Sequence, residues 1–208
     1  MLVFHRRRPC PTFWMMTDLA TRIRACALCA ERFAATETAH HPRPVLRVVP
    51  TARLLIAGQA PGARVHASGT PFTDPSGDRL RDWLGLDEAV FYDTTRVAIL
   101  PMAFCFPGYR KGADLPPPPI CARTWRASVM QGLPNLRLIL PIGGPAQRWH
   151  LGTREGVTAT VLRWRDFLPG AIPLPHPSWR NTGWLKRNPW FAAELLPVLR
   201  ARVAEVLS

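Results

Sequence analysis

The chain has 208 residues, 47% of them hydrophobic, which suits one domain with a substantial core. A formal charge of +13, from 27 Lys and Arg against 14 Asp and Glu, predicts attraction to a polyanion, nucleic acid first, because each neutralised phosphate releases condensed counterions. A merely basic, solvated surface is the competing reading, and the dominance of Arg favours nucleic acid. No apolar run approaches a membrane-spanning length and the N-terminus lacks the apolar core of a signal peptide, so a cytoplasmic protein is expected.

Residues 1–16, with His5-Arg6-Arg7-Arg8 ahead of Pro9 and Pro11, read as a flexible basic arm without an assigned function, and residues 17–208 as a single domain. From Asp18 to Phe33, the spacing of Leu19, Ile23, Ala27 and Ala30 predicts a helix, interrupted by Cys26-x-x-Cys29. Val45–Val49 and Arg53–Ala57 read as strands. The second ends abruptly in Gly58-Gln59-Ala60-Pro61-Gly62, and such a run delivers a loop to the edge of a sheet, where α/β proteins bind ligands. Gly69-Thr70-Pro71-Phe72 follows, then Ser76-Gly77-Asp78, with Ser76 as the expected N-cap of a helix burying Leu80, Trp83 and Leu84.

Phe91–Asp93 and Val97–Pro101 predict another strand, entering a loop from Phe104 to Pro119 whose Pro107, Gly108, Gly112 and Pro116–Pro119 exclude a regular element. Cys121–Leu133 reads as a helix, Leu136–Ile142 as a strand, and Gly143-Gly144-Pro145 as the turn into a short helix. Val161–Phe167 is ambiguous, with Trp164 and Phe167 partly buried. Ala171–Pro175 is a last short strand ahead of His176-Pro177-Ser178, and Pro189–Leu207 is an amphipathic helix offering Phe191, Leu195, Val198, Val203 and Val206 to the core. Strands alternating with helices predict an α/β fold of three layers, with a central four-stranded parallel sheet flanked by helices.

Five cysteines in a cytosolic chain argue against a disulfide framework, leaving buried thiols or metal ligands. Cys26 and Cys29 form a C-x-x-C pair, and Cys105 and Cys121 bracket the irregular loop with fifteen residues between them. Four thiolates hold zinc or an iron–sulfur cluster equally well, and spacing leaves that choice open.

The paired blocks Gly58–Gly62 and Gly69–Phe72, together with His176-Pro177-Ser178, resemble the two active-site motifs of the uracil-DNA glycosylase superfamily, over a span of roughly Cys26 to Leu199. The resemblance is to the iron–sulfur bacterial members of families 4 and 5, in which an early C-x-x-C and two later cysteines hold a four-iron four-sulfur cluster. It implies Cys26, Cys29, Cys105 and Cys121 as the ligands and leaves Cys10 outside the set. The fold it implies agrees with the strand and helix pattern.

Removing a base from DNA requires the base to leave its stack and enter a pocket, where an aromatic ring stacks on it. The resemblance gives Phe72 that role; core packing is the alternative. Breaking the N-glycosidic bond drives negative charge onto the departing base, so a donor near its oxygen lowers the barrier. The resemblance gives that to His176 as a neutral imidazole, with Gly58, Ala60, Asp74 and Ser178 as further substrate contacts; a turn or cap is the alternative for Ser178.

At the position that orients the attacking water stands Gln59, whose amide cannot act as a base near neutral pH. Asp74 and Asp78 are nearby carboxylates able to compensate for it, and helix capping is the expected role of Asp78. The base-reading Asn of many relatives is missing from Val97–Phe104. The loop Trp179–Asn188 corresponds to the family's minor-groove wedge. Trp179, Arg180, Asn181, Lys186 and Arg187 are its DNA contacts, while Trp184 and Leu185 suit either wedging or core packing.

Together these features predict a monomeric, monofunctional uracil-DNA glycosylase that flips its base from single- or double-stranded DNA. Two alternatives stand beside it: a glycosylase for hypoxanthine or xanthine, and a protein that binds uracil or lesions in DNA without turnover.

Overall fold

The computed structural model describes residues 11–208, with side chains from Met16 onward; the basic stretch His5–Arg8 and Cys10 lie outside the described residues. Helix α1 (Pro11–Arg24) begins ahead of the boundary expected at residue 17. The helix expected over Asp18–Phe33 is divided, because the chain turns through residues 25–29 before α2 (Ala30–Ala34), and that turn holds Cys26 and Cys29.

Strand β1 (Leu54–Ala57) is followed by α3 (Ala63–Ser68), α4 (Pro75–Leu84), α5 (Glu88–Phe91) and β2 (Val97–Ile99). The N-cap of α4 is Asp74 rather than Ser76, since Pro75 already fits the first helical turn, and the Ser76 hydroxyl donates to the Asp74 carboxylate at 2.6 Å. The proline-rich loop carries a short antiparallel hairpin, β3 (Tyr109–Arg110) and β4 (Ala113–Asp114). Its turn places both Lys111 and Gly112 at positive φ, the geometry that suits the twist of a two-residue hairpin.

Helix α6 (Pro119–Cys121) runs through a π-helical segment (Ala122–Arg126) into α7 (Ala127–Gln131). Strand β5 (Leu138–Pro141), α8 (Gly144–Leu151) and α9 (Val157–Leu162) follow. After the His176 loop come α10 (Thr182–Arg187) and, beyond a π-helical segment (Phe191–Leu195), α11 (Leu196–Leu207). Val198 on α11 is 37% exposed rather than in the core.

Among the described residues the sheet has three parallel strands in the order β2-β1-β5, not four. Ala171–Pro175 runs beside β5 but makes only isolated bridges, Ile139 with Ala171 and Ile142 with Leu174. The Ile172 and Leu174 amides do donate across the seam, to the Ile139 and Pro141 carbonyls at 3.0 and 3.1 Å, but Pro141 has no N–H to return in the middle of it, which interrupts the ladder. Val45–Val49, between Pro44 and Pro50, likewise contributes a single antiparallel bridge, from Arg47 to Ile99.

Alternation along β1 divides the interior. Leu54 and Ile56 face a core built with Leu80, Trp83 and Leu84 of α4 and Leu199 and Val203 of α11. Leu55 and Ala57 face the other side, with Met16 and Ile23 of α1, Phe104 and Val129. All four β1 residues are completely buried, and each large one contributes about 1.5–3 kcal/mol by leaving water. With both faces covered, the cleft opens at the C-terminal end of β1, beside Gly58–Gly62.

Candidate active site

At the end of β1 the backbone is tied to the segment after β2: the Met102 and Ala103 amides donate to the Gly58 and Gln59 carbonyls, each at 2.9 Å. The Gln59 side chain lies against Gly143, where φ is +78° and an added Cβ would come within 2.5 Å of Nε2. Glycine there meets two demands at once, conformation and space.

Phe72 holds a left-handed backbone, with φ of 57°, which costs a bulky residue on the order of 1–3 kcal/mol and persists only where its surroundings enforce it. The Tyr92 hydroxyl donates to the Pro71 carbonyl at 2.8 Å and the Phe72 carbonyl at 3.2 Å. Gly77 packs so closely on Phe72 that a Cβ would collide with its carbonyl oxygen. The half-buried Phe72 ring meets Phe91 edge-on at 6.0 Å, leaving ring surface on the cleft wall.

His176 follows the Leu174 bridge. The Ser178 amide donates to its Nδ1 at 3.2 Å, the Asn181 side-chain amide donates to its carbonyl at 2.7 Å, and Arg79 of α4 donates to the Ser178 carbonyl at 2.9 Å. A backbone N–H can only donate, so Nδ1 is the acceptor and the proton of the neutral ring sits on Nε2. Burial lowers the His176 pKa, with the charges of Asp74 and Asp114 partly opposing it. The ring is therefore a neutral imidazole with one N–H to offer.

One wide cleft is lined by Gly58, Gln59, Ala60, Phe72, Asp74, His176, Ser178, Trp179, Arg180 and Asn181, which brings residues far apart in sequence together. Lys186 and Arg187, on α10, lie outside its lining. Trp179 is 72% exposed at its rim, with the Arg180 guanidinium 5.9 Å from its ring. Trp184 and Leu185 pack against the core, the Trp184 indole donating to Thr158 Oγ1 at 2.8 Å, so they are not a wedge. Ser178 Oγ accepts from the Arg180 amide at 3.2 Å and caps a short helical turn. Asp78 makes an exposed ion pair with Arg81 instead of a cap.

The sequence reading missed Tyr109 and Asp114, which line the same cleft from the hairpin. The Lys111-Gly112 step was the available signal, obscured by the surrounding prolines.

Cys26, Cys29, Cys105 and Cys121 line a second, small apolar cavity with Phe33, Phe104 and Trp125 among its walls. All four are free thiols. Among the described residues no group of three or more His, Cys, Asp or Glu converges to hold a metal ion, so the thiols surround a space rather than meeting at a point. Burial pushes the Cys105 thiol up to about 12 and Cys121 to about 11, and the neighbouring cysteines add to both. Backbone amides partly offset this, from Arg43 to Cys105 and from Phe104 to Cys121 Sγ at 3.4 Å. Four thiols around one cavity, two of them accepting backbone N–H groups, suit a group that supplies positive charge to thiolates.

A family model described as the uracil DNA glycosylase superfamily matches residues 41–200, a span that contains both motif blocks and begins after Cys26 and Cys29. The chain is also similar to the solution NMR structure of a provisionally assigned uracil DNA glycosylase from Methanosarcina acetivorans, at 15% identity, covering 76% of this chain and 94% of that one with a TM-score of 0.45. Among the described residues no helix is long and apolar enough to cross a membrane. With the motif blocks joined in one cleft and the family match running through them, the chain belongs to the uracil DNA glycosylase superfamily.

Proposed function

We propose that this protein excises uracil from DNA by flipping the base into the cleft and hydrolysing its N-glycosidic bond, the first step of base-excision repair. The observation that carries this reading is the desolvated, neutral His176, with Nδ1 committed to the Ser178 amide and Nε2–H left as a donor. As the bond to the sugar breaks, charge grows on the base oxygen, and a fixed donor there stabilises the transition state more than the ground state. Phe72, held in one backbone conformation, supplies a stacking face. Gln59 carries both a donor and an acceptor, so it can read a pyrimidine edge or orient water, though not deprotonate it. Trp179 and Arg180 at the rim take the strand, the indole filling the space left by the base and the guanidinium meeting phosphate.

A four-iron four-sulfur cluster on Cys26, Cys29, Cys105 and Cys121 is part of the same reading. The group would act as a structural tie, joining the turn after α1 to both ends of the 105–121 loop. Purified protein is then expected to carry iron and acid-labile sulfide; a content of zinc, or of no metal, would reject the cluster.

The direct test is incubation with labelled oligonucleotides holding one uracil, hypoxanthine or xanthine, single- and double-stranded, followed by alkaline cleavage of abasic sites and an assay of free base. Release of uracil above the other bases supports the reading. Release of hypoxanthine or xanthine instead would favour the second specificity. That alternative draws support from Asn181, the one Asn of the cleft lining, whose side chain already donates to the His176 carbonyl. Uracil-dependent binding without free base would favour a binder without turnover.

A further inference from the structure

Excision as derived from His176, Gln59 and Phe72 makes no use of the β3–β4 hairpin, although Tyr109 and Asp114, directly paired across it, both line the cleft. The hairpin is a fixed wall. The Leu115 amide closes its base on the Gly108 carbonyl at 2.9 Å, and the Lys111 amide at its turn donates to Glu37 at 2.9 Å. The Tyr109 ring meets Phe106 edge-on at 5.1 Å. Asp114 is exposed on this wall, and among the described residues its carboxylate has no hydrogen bond or ion pair, while its charge is felt at His176.

Two further facts narrow what this carboxylate does. The Gln59 amide cannot take a proton, and Asp74, whose charge is also felt at His176, spends Oδ1 on the Ser76 hydroxyl at 2.6 Å, whereas both Asp114 oxygens are without a partner among the described residues. In addition, a negative charge on the wall of a cleft that receives DNA opposes every phosphate brought near it, in a chain whose net charge is +13. Such a group weakens binding, so its benefit has to be realised in the transition state, where the sugar carries positive charge and water attacks.

We infer that Asp114 is the carboxylate that orients and deprotonates the attacking water, an inference that rests on the glycosylase reading. In the step, the bond from C1′ to the base nitrogen breaks and its electron pair leaves with the base. A bond forms from the water oxygen to C1′, and the water's proton passes to Asp114. The carboxyl then returns that proton to solvent, and the released base anion takes one up.

This role makes a split prediction. With the full-length protein in excess over a uracil oligonucleotide, Asp114→Asn is expected to lower the single-turnover excision rate by about 10²–10³-fold. DNA affinity stays the same or tightens, because a repulsive charge has gone. Asp114→Glu restores at least part of the lost rate. An Asn variant that keeps the wild-type rate would overturn the role while leaving the glycosylase reading intact, as would equal loss of rate and affinity without rescue by Glu. Wild-type protein that releases no base from uracil, hypoxanthine or xanthine DNA would end the glycosylase reading and this inference with it.

Discussion

The loop after β1 and the loop between Cys105 and Cys121 both line the cleft, yet they are fixed over very different distances along the chain. In the first, Phe72 is trapped by Gly77 five residues on and by the Tyr92 hydroxyl twenty residues on. In the second, the Lys111 amide reaches Glu37 across 74 residues, and His40 Nε2 meets the Phe106 carbonyl at 2.9 Å across 66. Gly108 also fits against Thr36, where a Cβ would lie 2.8 Å from the hydroxyl oxygen. Close sterics make the first loop stiff by itself, whereas the second depends on what holds the segment near Cys26 and Cys29.

The largest effect that sharpens this contrast is expected at Gly77. Gly77→Ala drives a Cβ into the Phe72 carbonyl, a backbone atom that cannot step aside, and should cost at least about 3 kcal/mol in a denaturant titration, with loss of excision. A cost below 1 kcal/mol would mean that the Phe72 turn is adaptable.

Acid should attack the second region first. Arg126, fully buried, donates to the Leu100 and Pro101 carbonyls at 3.1 and 2.8 Å and to His150 Nε2 at 2.7 Å, fixing the chain that leads into the Cys105 loop. Burial, then the Arg126 charge, lowers the His150 pKa from 6.5 to about 3. Between those values the unfolded chain binds a proton that the folded chain refuses, so stability falls as pH drops through that window and is unaffected by this group above it. The slope approaches about 1.4 kcal/mol per pH unit. Unfolding midpoints measured from pH 7 to 4.5 check this, and His150→Gln should flatten the slope.

Cys121→Ser tests the tie itself. Trypsin should cut at the exposed Arg110 and Lys111 faster than in wild type, while cleavage after Arg64, in the first loop's α3, is unchanged. Equal protection of both loops would show that the hairpin needs no cluster. The smallest effect is expected for Tyr92→Phe, which removes the donor to Pro71 and Phe72 for about 1 kcal/mol and lowers kcat/KM modestly without changing the hairpin's protease sensitivity.

The same contrast explains what could be read from residues alone. Strand β1 and the strands' exits into loops were legible because apolar runs ending in Gly or Pro carry local physics, whereas the roles of Gln59, Phe72 and His176 rested on the resemblance of their motif blocks to a known family. The cleft that joins Gln59, Phe72 and His176 follows from the parallel order of the sheet. The fourth strand was overread, since an apolar run conceals that Pro141, on the β5 side of the seam, has no N–H to give. The β3–β4 hairpin, and with it Asp114, stayed hidden because its support comes from Thr36, Glu37 and His40, a long-range contact no local pattern encodes.

The most direct test of the central claim is the single-turnover release of free uracil by wild type and His176→Ala, with DNA affinity measured on the same preparations. Loss of one transition-state donor predicts a fall in rate of about 10²–10³-fold with affinity for undamaged DNA essentially unchanged. A variant that excises uracil at the wild-type rate, or one that loses rate and affinity in equal measure, would contradict the account of His176 as the group that stabilises the departing base.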